Sequence, residues 1–248
     1  MEERKPVWGH LDDLRKVLVR SVIALFVTSS LSFLFADFLL GFLLKPYHTL
    51  LTSHHNTSGG LMSLHPTESF MMSMHLALTS GVVLAFPLLV RFVWQFVGTG
   101  LYPKERKIVL PILYVGTALF ILGSLFAFYF VVPKVLDFFW SYNLHLGIVP
   151  AWTVSHYLSF VLLFLLAFGL AFELPLLVVG ATRLGFISTA NLAVGRPYVI
   201  VGIFIVGAIL TPPDVVSQLA LSLPMWGLFE LSLLIARWGE KKKTKEGL

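Results

Sequence analysis

Residues 108–132 contain no Asp, Glu, Lys or Arg, and five further stretches of the chain are nearly as poor in charge. A helix of about 20 predominantly apolar residues crosses roughly 30 Å of hydrocarbon. With no water to bond the backbone inside a bilayer, the helix is the regular solution for such runs. The apolar stretches predict an all-α polytopic membrane protein with six transmembrane helices, over residues 17–44, 67–97, 108–132, 154–181, 198–210 and 215–236. The chain reads as one integral membrane domain, 1–248, ending in a basic cytoplasmic tail at 237–248.

The last two spans are irregular. Residues 198–210 lie between Arg196-Pro197 and Thr211-Pro212-Pro213. At 1.5 Å per residue they give about 20 Å of helix, shorter than the hydrocarbon is thick. Span six carries Gln218, Pro224 and Glu230, and no internal repeat or inverted symmetry is visible. Two segments outside the spans, 47–66 and 133–152, are expected on the outer side, the second rich in interfacial aromatics.

Orientation follows from the basic residues. With the N-terminus inside, Arg4, Lys5, Arg15, Lys16 and Arg20 precede span one, and Lys104, Arg106 and Lys107 lie between spans two and three. Arg183 and Arg196 fall between spans four and five, and Arg237, Lys241, Lys242, Lys243 and Lys245 follow span six. Of 18 Lys and Arg, only Lys45 and Lys134 fall clearly in outer loops, and Arg91 sits in the inner half of span two. Cytoplasmic loops keep such residues, so both chain ends are expected in the cytoplasm.

Composition excludes several classes. With 57% hydrophobic residues, 12% charged residues and mean hydropathy +0.85, the chain lacks the roughly one-quarter charged content of soluble domains. A net charge of +5 and pI near 9.5 do not signify nucleic-acid binding, because the basic residues are topology signals spread over four inner segments. The Lys241–Lys245 cluster suits anionic lipid headgroups. The absence of cysteine excludes disulfides, thiolate metal sites and cysteine nucleophiles. Charge continuing through Arg15 and Arg20 is unlike a cleavable signal peptide.

Few residues can carry chemistry. On the inner side, Asp12 and Asp13 stand in His10-Leu11-Asp12-Asp13-Leu14-Arg15, and Glu105 in Leu101-Tyr102-Pro103-Lys104-Glu105-Arg106-Lys107. Converging carboxylates would receive a guanidinium through parallel hydrogen bonds; the plainer alternative is that they balance neighbouring cations on solvated helix ends. Glu173 lies ten residues before Arg183, about 15 Å into span four. A carboxyl at that depth is a functional candidate: a protonated hydrogen-bonding group, a proton-relay member, a contact for another subunit's helix, or a structural bond within the bundle. Asp214 and Gln218 lie near the outer end of the short spans, where polar groups open a wet path or seat a partner. His75 and His156 suit interfacial packing, and His48, His54 and His55 are too irregularly placed for a metal site. With no nucleophile elbow, His-Glu-x-x-His helix or phosphate loop, neither an enzyme nor a cofactor or metal protein is expected.

Four stretches, in order and at matching points of a six-span plan, resemble the TatC subunit of the twin-arginine protein translocase. They are His10 to Arg15; Phe92 to Lys107, with Trp94, Phe96, Leu101-Tyr102 and Glu105-Arg106; Ala167-Phe168-Gly169 through Phe172-Glu173-Leu174-Pro175; and Arg196-Pro197-Tyr198 followed by Leu210 to Gln218. The resemblance implies a receptor and core subunit that binds paired-arginine signal peptides of folded cargo and exports that cargo using the proton gradient. It implies partnership with small single-span subunits of the TatA and TatB type, self-association, and a bacterial cytoplasmic (inner) membrane location. Carried over by position, Asp13 and Glu105 are the acidic acceptors, with Arg15 and Phe96 in the recognition surface around them. Pro46 matches the proline ending the first span. Glu173 is the polar point within the bundle, and Asp214 and Gln218 contribute to partner contact.

Two departures bear on this. The family motif has Glu where this chain has Asp13, one methylene shorter, which shifts weight to Glu105 as the principal acceptor. Gly98-Thr99-Gly100 lacks the proline often found before the Leu-Tyr pair. The competing classes are a proton-coupled small-solute transporter with Glu173 as its coupling carboxylate, against which the missing repeat speaks, and an intramembrane hydrolase built on His75 or His156, for which no partner motif exists.

Overall fold

The structure, a computed structural model, describes residues 7–54, 60–98, 103–183 and 185–245; side chains are described over that range except at 7–11, 94, 96–98, 103–113, 183 and 241–245. The chain is about 85% helical, and no strand occurs among the described residues beyond one isolated bridge, Met62 to Thr153. Among the described residues, five helical stretches are long and apolar enough to span a membrane. The sixth, Arg196–Leu210, is apolar but short, as its flanking prolines predict. The all-α polytopic expectation holds.

Two compact units divide the chain: Met1–Leu43 with Ser63–Thr117, and Leu44–Met62 with Ala118–Leu248.

The first unit is built on α1 (Val7–Leu34), α2 (Ala36–Leu43), α4 (Glu68–Gly98) and the start of α5 (Pro103–Phe126). Helices α1 and α4 lie closely together because small residues face one another. A Cβ added at Gly81 would overlap Ser29 Oγ and stand 2.7 Å from Ser29 Cα. Thr28 Oγ1 donates to the Gly81 carbonyl at 2.9 Å. Span one is interrupted where Phe35 N–H bonds the Ser32 carbonyl at 3.1 Å, a tightened turn that separates α1 from α2. Helix α4 begins with Glu68 reaching back to accept from Leu64 N–H at 2.6 Å and Ser63 Oγ at 3.2 Å, which satisfies donors that a helix start leaves open.

The second unit holds α3 (Lys45–Ser53), the rest of α5, α6 (Val132–His145), α7 (Val154–Ala171), α8 (Leu174–Arg183), α9 (Thr189–Val194), α10 (Arg196–Leu210) and α11 (Val215–Lys245). Pro133 reads in the sequence as the end of a span, yet the chain stays helical to His145. A π-helical turn at Ala127–Val131 comes first, and Pro133 then sits in the first turn of α6, where its missing N–H costs little. Pro46 is likewise in the first turn of α3 and buried.

An aromatic cluster joins α3, α6 and α7. Tyr47 and Tyr157 rings lie 5.5 Å apart, Trp140 and Trp152 5.4 Å apart edge to face. His54 Nε2 is 2.8 Å from Asp137 Oδ1 beside the Trp140 ring. Burial pushes the Tyr47 hydroxyl above its usual pKa, so it stays neutral. Below the cluster, α5 and α7 interlock: Ser124 Oγ donates to the Leu165 carbonyl at 3.0 Å, and a Cβ on Gly169 would come within 2.6 Å of the Phe120 ring.

Candidate functional site

Three polar places interrupt the apolar helices, one in the first unit and two in the second.

The first is the charged end of α1. Asp13 is half-buried, whereas Asp12, Arg15, Lys16 and Arg20 are exposed. At about 100° per residue, side chains two positions apart point to nearly opposite sides of a helix. Asp13 and Arg15, adjacent in the motif, therefore face different surroundings. Arg15 lies in a shallow groove of about 410 Å³ with Asp12, Lys16, Val19 and Arg20. Phe96 falls in the last turn of α4 and Glu105 in the first turn of α5; both side chains lie outside the described residues.

The second place is Glu173. Helix α7 stops at Ala171 and α8 starts at Leu174, leaving Phe172 and Glu173 in a turn within one apolar stretch. Pro175 has no N–H to continue the ladder. Glu173 N–H closes a tighter turn on the Leu170 carbonyl at 3.1 Å. Next to it Phe172 fills the space opposite Gly123, with the Phe126 ring 5.7 Å away. Glu173 Oε1 is buried and has no hydrogen-bond partner among the described residues. Buried polar groups normally find such a partner, which sets Glu173 apart from the other carboxylates described.

The third is the α10–α11 hairpin. Asp214 caps α11, accepting from Ser217 N–H at 2.7 Å. Gln218 Nε2 donates to the Phe204 carbonyl at 3.1 Å, crossing to α10. Asp214 and Gln218 thus stand together, four residues apart, at the turn between the two helices. Close packing follows from Gly207, where a Cβ would overlap Ser222 Oγ. Ser217 and Ser222 are both fully buried, with hydroxyls unpartnered among the described residues.

Some contacts were not foreseen from sequence. Arg196 Nη2 pairs with Glu230 Oε2 at 3.0 Å, and Thr189 donates through both N–H and hydroxyl to the Glu240 carboxylate. The only sequence signal for the first was two opposite charges flanking short apolar runs. For the second there was none, since residues 189 and 240 are brought together by the return of α11 past α9.

The fold and these places define a multispanning helical membrane protein whose polar residues lie at helix ends and interruptions and form no catalytic constellation among the described side chains. Comparison with known proteins narrows the class. The TatC family profile, described as Sec-independent protein translocase protein, matches residues 9–224. A Sec-independent protein translocase protein TatC from Carboxydothermus hydrogenoformans is 37% identical over 244 residues, 97% of each chain. One from Akkermansia muciniphila is 40% identical over 185 residues, 74% of this chain; there the match spans about half, 53%, of the relative's length. A crystal structure of the twin arginine translocase receptor TatC in DDM superposes with TM-score 0.81 at 34% identity, covering 92% of this chain and 99% of that one. The chain belongs to the TatC family of Sec-independent protein translocase proteins, and its six-span fold is that family's.

Proposed function

We propose that this chain is the signal-peptide receptor and core subunit of a twin-arginine translocase, exporting folded proteins across the bacterial inner membrane at the expense of the proton gradient. The observation that carries this reading is the whole-chain likeness to a solved twin arginine translocase receptor, TM-score 0.81 at 34% identity. The inner end of the first unit supplies the chemistry. Carboxylates at Asp13 and Glu105 accept the paired guanidinium groups, with Arg15 and Phe96 in the surrounding surface. Arginines stop there because carrying their charge into hydrocarbon is costly, and an Arg–carboxylate pair is geometrically specific.

In the second unit, Glu173 and the Asp214–Gln218 turn receive polar groups of single-span TatA- and TatB-type helices. Two features support that role: a buried Glu173 oxygen without a partner among the described residues, and an α10 of 15 residues, about 22 Å long, which leaves a thin place in the bilayer. Both chain ends face the cytoplasm, in keeping with the distribution of Lys and Arg.

Photocrosslinking from position 105 to signal peptides bearing Arg-Arg or Lys-Lys tests the receptor reading. A crosslink that weakens sharply with Lys-Lys supports it; equal crosslinking to both reduces the loop to a general charged surface.

A further inference from the structure

We propose that the outward face of α1, with α4 beside it, is a binding site for an anionic phospholipid: phosphate on Lys16 and Arg20, acyl chain in the groove above. The inference goes beyond the receptor reading and does not depend on it.

Two hollows on the first unit share one helix face. The lower, about 410 Å³, is lined by Asp12, Arg15, Lys16, Val19 and Arg20. The upper, about 850 Å³, is lined mainly by apolar side chains, among them Val22, Phe26 and Phe33 of α1 and Met74 and Leu78 of α4. Positions 12, 15, 19, 22, 26, 30 and 33 advance by three or four residues at each step, which keeps them on a single stripe. Val19 of the charged hollow and Val22 of the apolar one are one step apart on that stripe, so the two hollows follow one another along the helix.

Charge and length select the occupant. Three cations against one carboxylate give the lower hollow a net charge of +2. Their aliphatic stems can lie along Val19 while the heads reach the interface. From Arg20 to Ser30 the helix rises about 15 Å, half of a 30 Å hydrocarbon layer. A lipid headgroup held at Arg20 therefore has its chain ending near the depth of Ser30, within the groove that Phe33, Met74 and Leu78 line further on. Phe26 and Leu78 are 73% and 57% exposed, so the groove is open from the side that a lipid would enter. Ala77, 4% exposed, forms part of the floor, and a larger residue there would fill it.

The test uses the full chain, purified in mild detergent, delipidated, and titrated with phosphatidylglycerol or phosphatidylcholine of identical acyl chains. Bound lipid is counted by native mass spectrometry. Phosphatidylglycerol is expected to bind on the order of thirtyfold tighter, from about one kcal/mol for each of Lys16 and Arg20 near an anionic headgroup. Lys16→Gln with Arg20→Gln should bring it down to the phosphatidylcholine level, while Lys16→Arg with Arg20→Lys should keep the preference. Ser30→Trp, which fills the groove, should weaken both lipids alike.

Several results overturn the proposal. These are equal binding of the two lipids, a preference unchanged in the double Gln variant, or loss of the preference on replacing Lys241, Lys242 and Lys243 by Gln. Full competition by inorganic phosphate would make the site one for free anions. Displacement of lipid by a single-span peptide regardless of headgroup would assign the groove to a protein helix.

Discussion

Arg196 Nη2 stands 3.0 Å from Glu230 Oε2, fastening the first residue of α10 to the middle of α11. With the Gln218 bond to Phe204 and the Gly207–Ser222 contact, the hairpin is held at three levels. The two ionic side chains are 39% and 33% exposed, so the pair is a partly screened one. Arg196→Gln and Glu230→Gln should each lower the melting temperature, and the double variant should lose less than their sum. A coupling of about 0.5–1 kcal/mol in that cycle is expected; strict additivity would mean that the pair adds nothing.

Gly81→Ala should destabilise the first unit by about 1–3 kcal/mol, because the added methyl meets the Ser29 backbone as well as its hydroxyl. Ser29→Gly should rescue it only in part, since Cα and N of residue 29 remain. Gly41→Ala is the control: nothing lies within 4 Å of its Cβ position. Thermal unfolding followed by fluorescence size exclusion separates the two, and a tolerated Gly81→Ala would contradict the close α1–α4 contact.

Glu105→Gln is expected to cut affinity for a paired-arginine peptide by about ten- to a hundredfold, the value of a hydrogen bond to a charged group. Asp13→Asn should cost less, and Asp13→Glu should preserve or raise affinity by restoring reach. Fluorescence anisotropy with labelled peptide reads all three. Full affinity in the Glu105→Gln variant would remove that residue from the receptor site.

Glu173→Leu should melt at or above the wild-type temperature, because it removes a buried oxygen that has no partner among the described residues. Export of folded cargo by the same variant should fall steeply. Stability gained while transport is lost is the signature of a group kept for function. A variant that melts lower and exports normally would make Glu173 a structural residue.

Thr189→Val should loosen α9 on α11 by removing the hydroxyl bond to Glu240 while leaving the backbone N–H bond, at a cost of about 1 kcal/mol by analogy with a lost helix cap. Limited proteolysis around residues 185–195 should quicken accordingly, with the rest of the cleavage pattern unchanged.

The spans were legible because lack of charge over some 20 residues has few other outcomes. The brevity of α10 was equally open, set by Arg196-Pro197 and Thr211-Pro212-Pro213. What pattern reading lacked was the response of helices to local interruption. Pro133 looked like a terminus, yet a π-turn precedes it and it occupies a first-turn position where proline is tolerated. The basic stretch after Ala236 extends α11 through Lys245, since Lys, Arg and Glu are good helix formers and cations suit a helix C-terminus. At the candidate site the motif His10 to Arg15 gives residue types and their order, and helical rotation then turns Asp13 and Arg15 to different sides of α1. Pairings such as Thr189 with Glu240 depend on tertiary return and have no signature along the chain.

Helix α11 is 31 residues, about 46 Å of continuous rod, with Pro224 inside it. Below that proline it is clamped twice, to α10 through Glu230 and to α9 through Glu240. Proline removes one rung of the ladder there and makes a natural fulcrum. From Pro224 to Glu240 the arm is about 24 Å. A tilt of ten degrees at the fulcrum would therefore carry the Glu240 clamp about 4 Å, more than a hydrogen bond can stretch. Any tilt of the lower arm would thus part α11 from α9 before it strained the Glu230 contact, which lies only about 9 Å from the fulcrum.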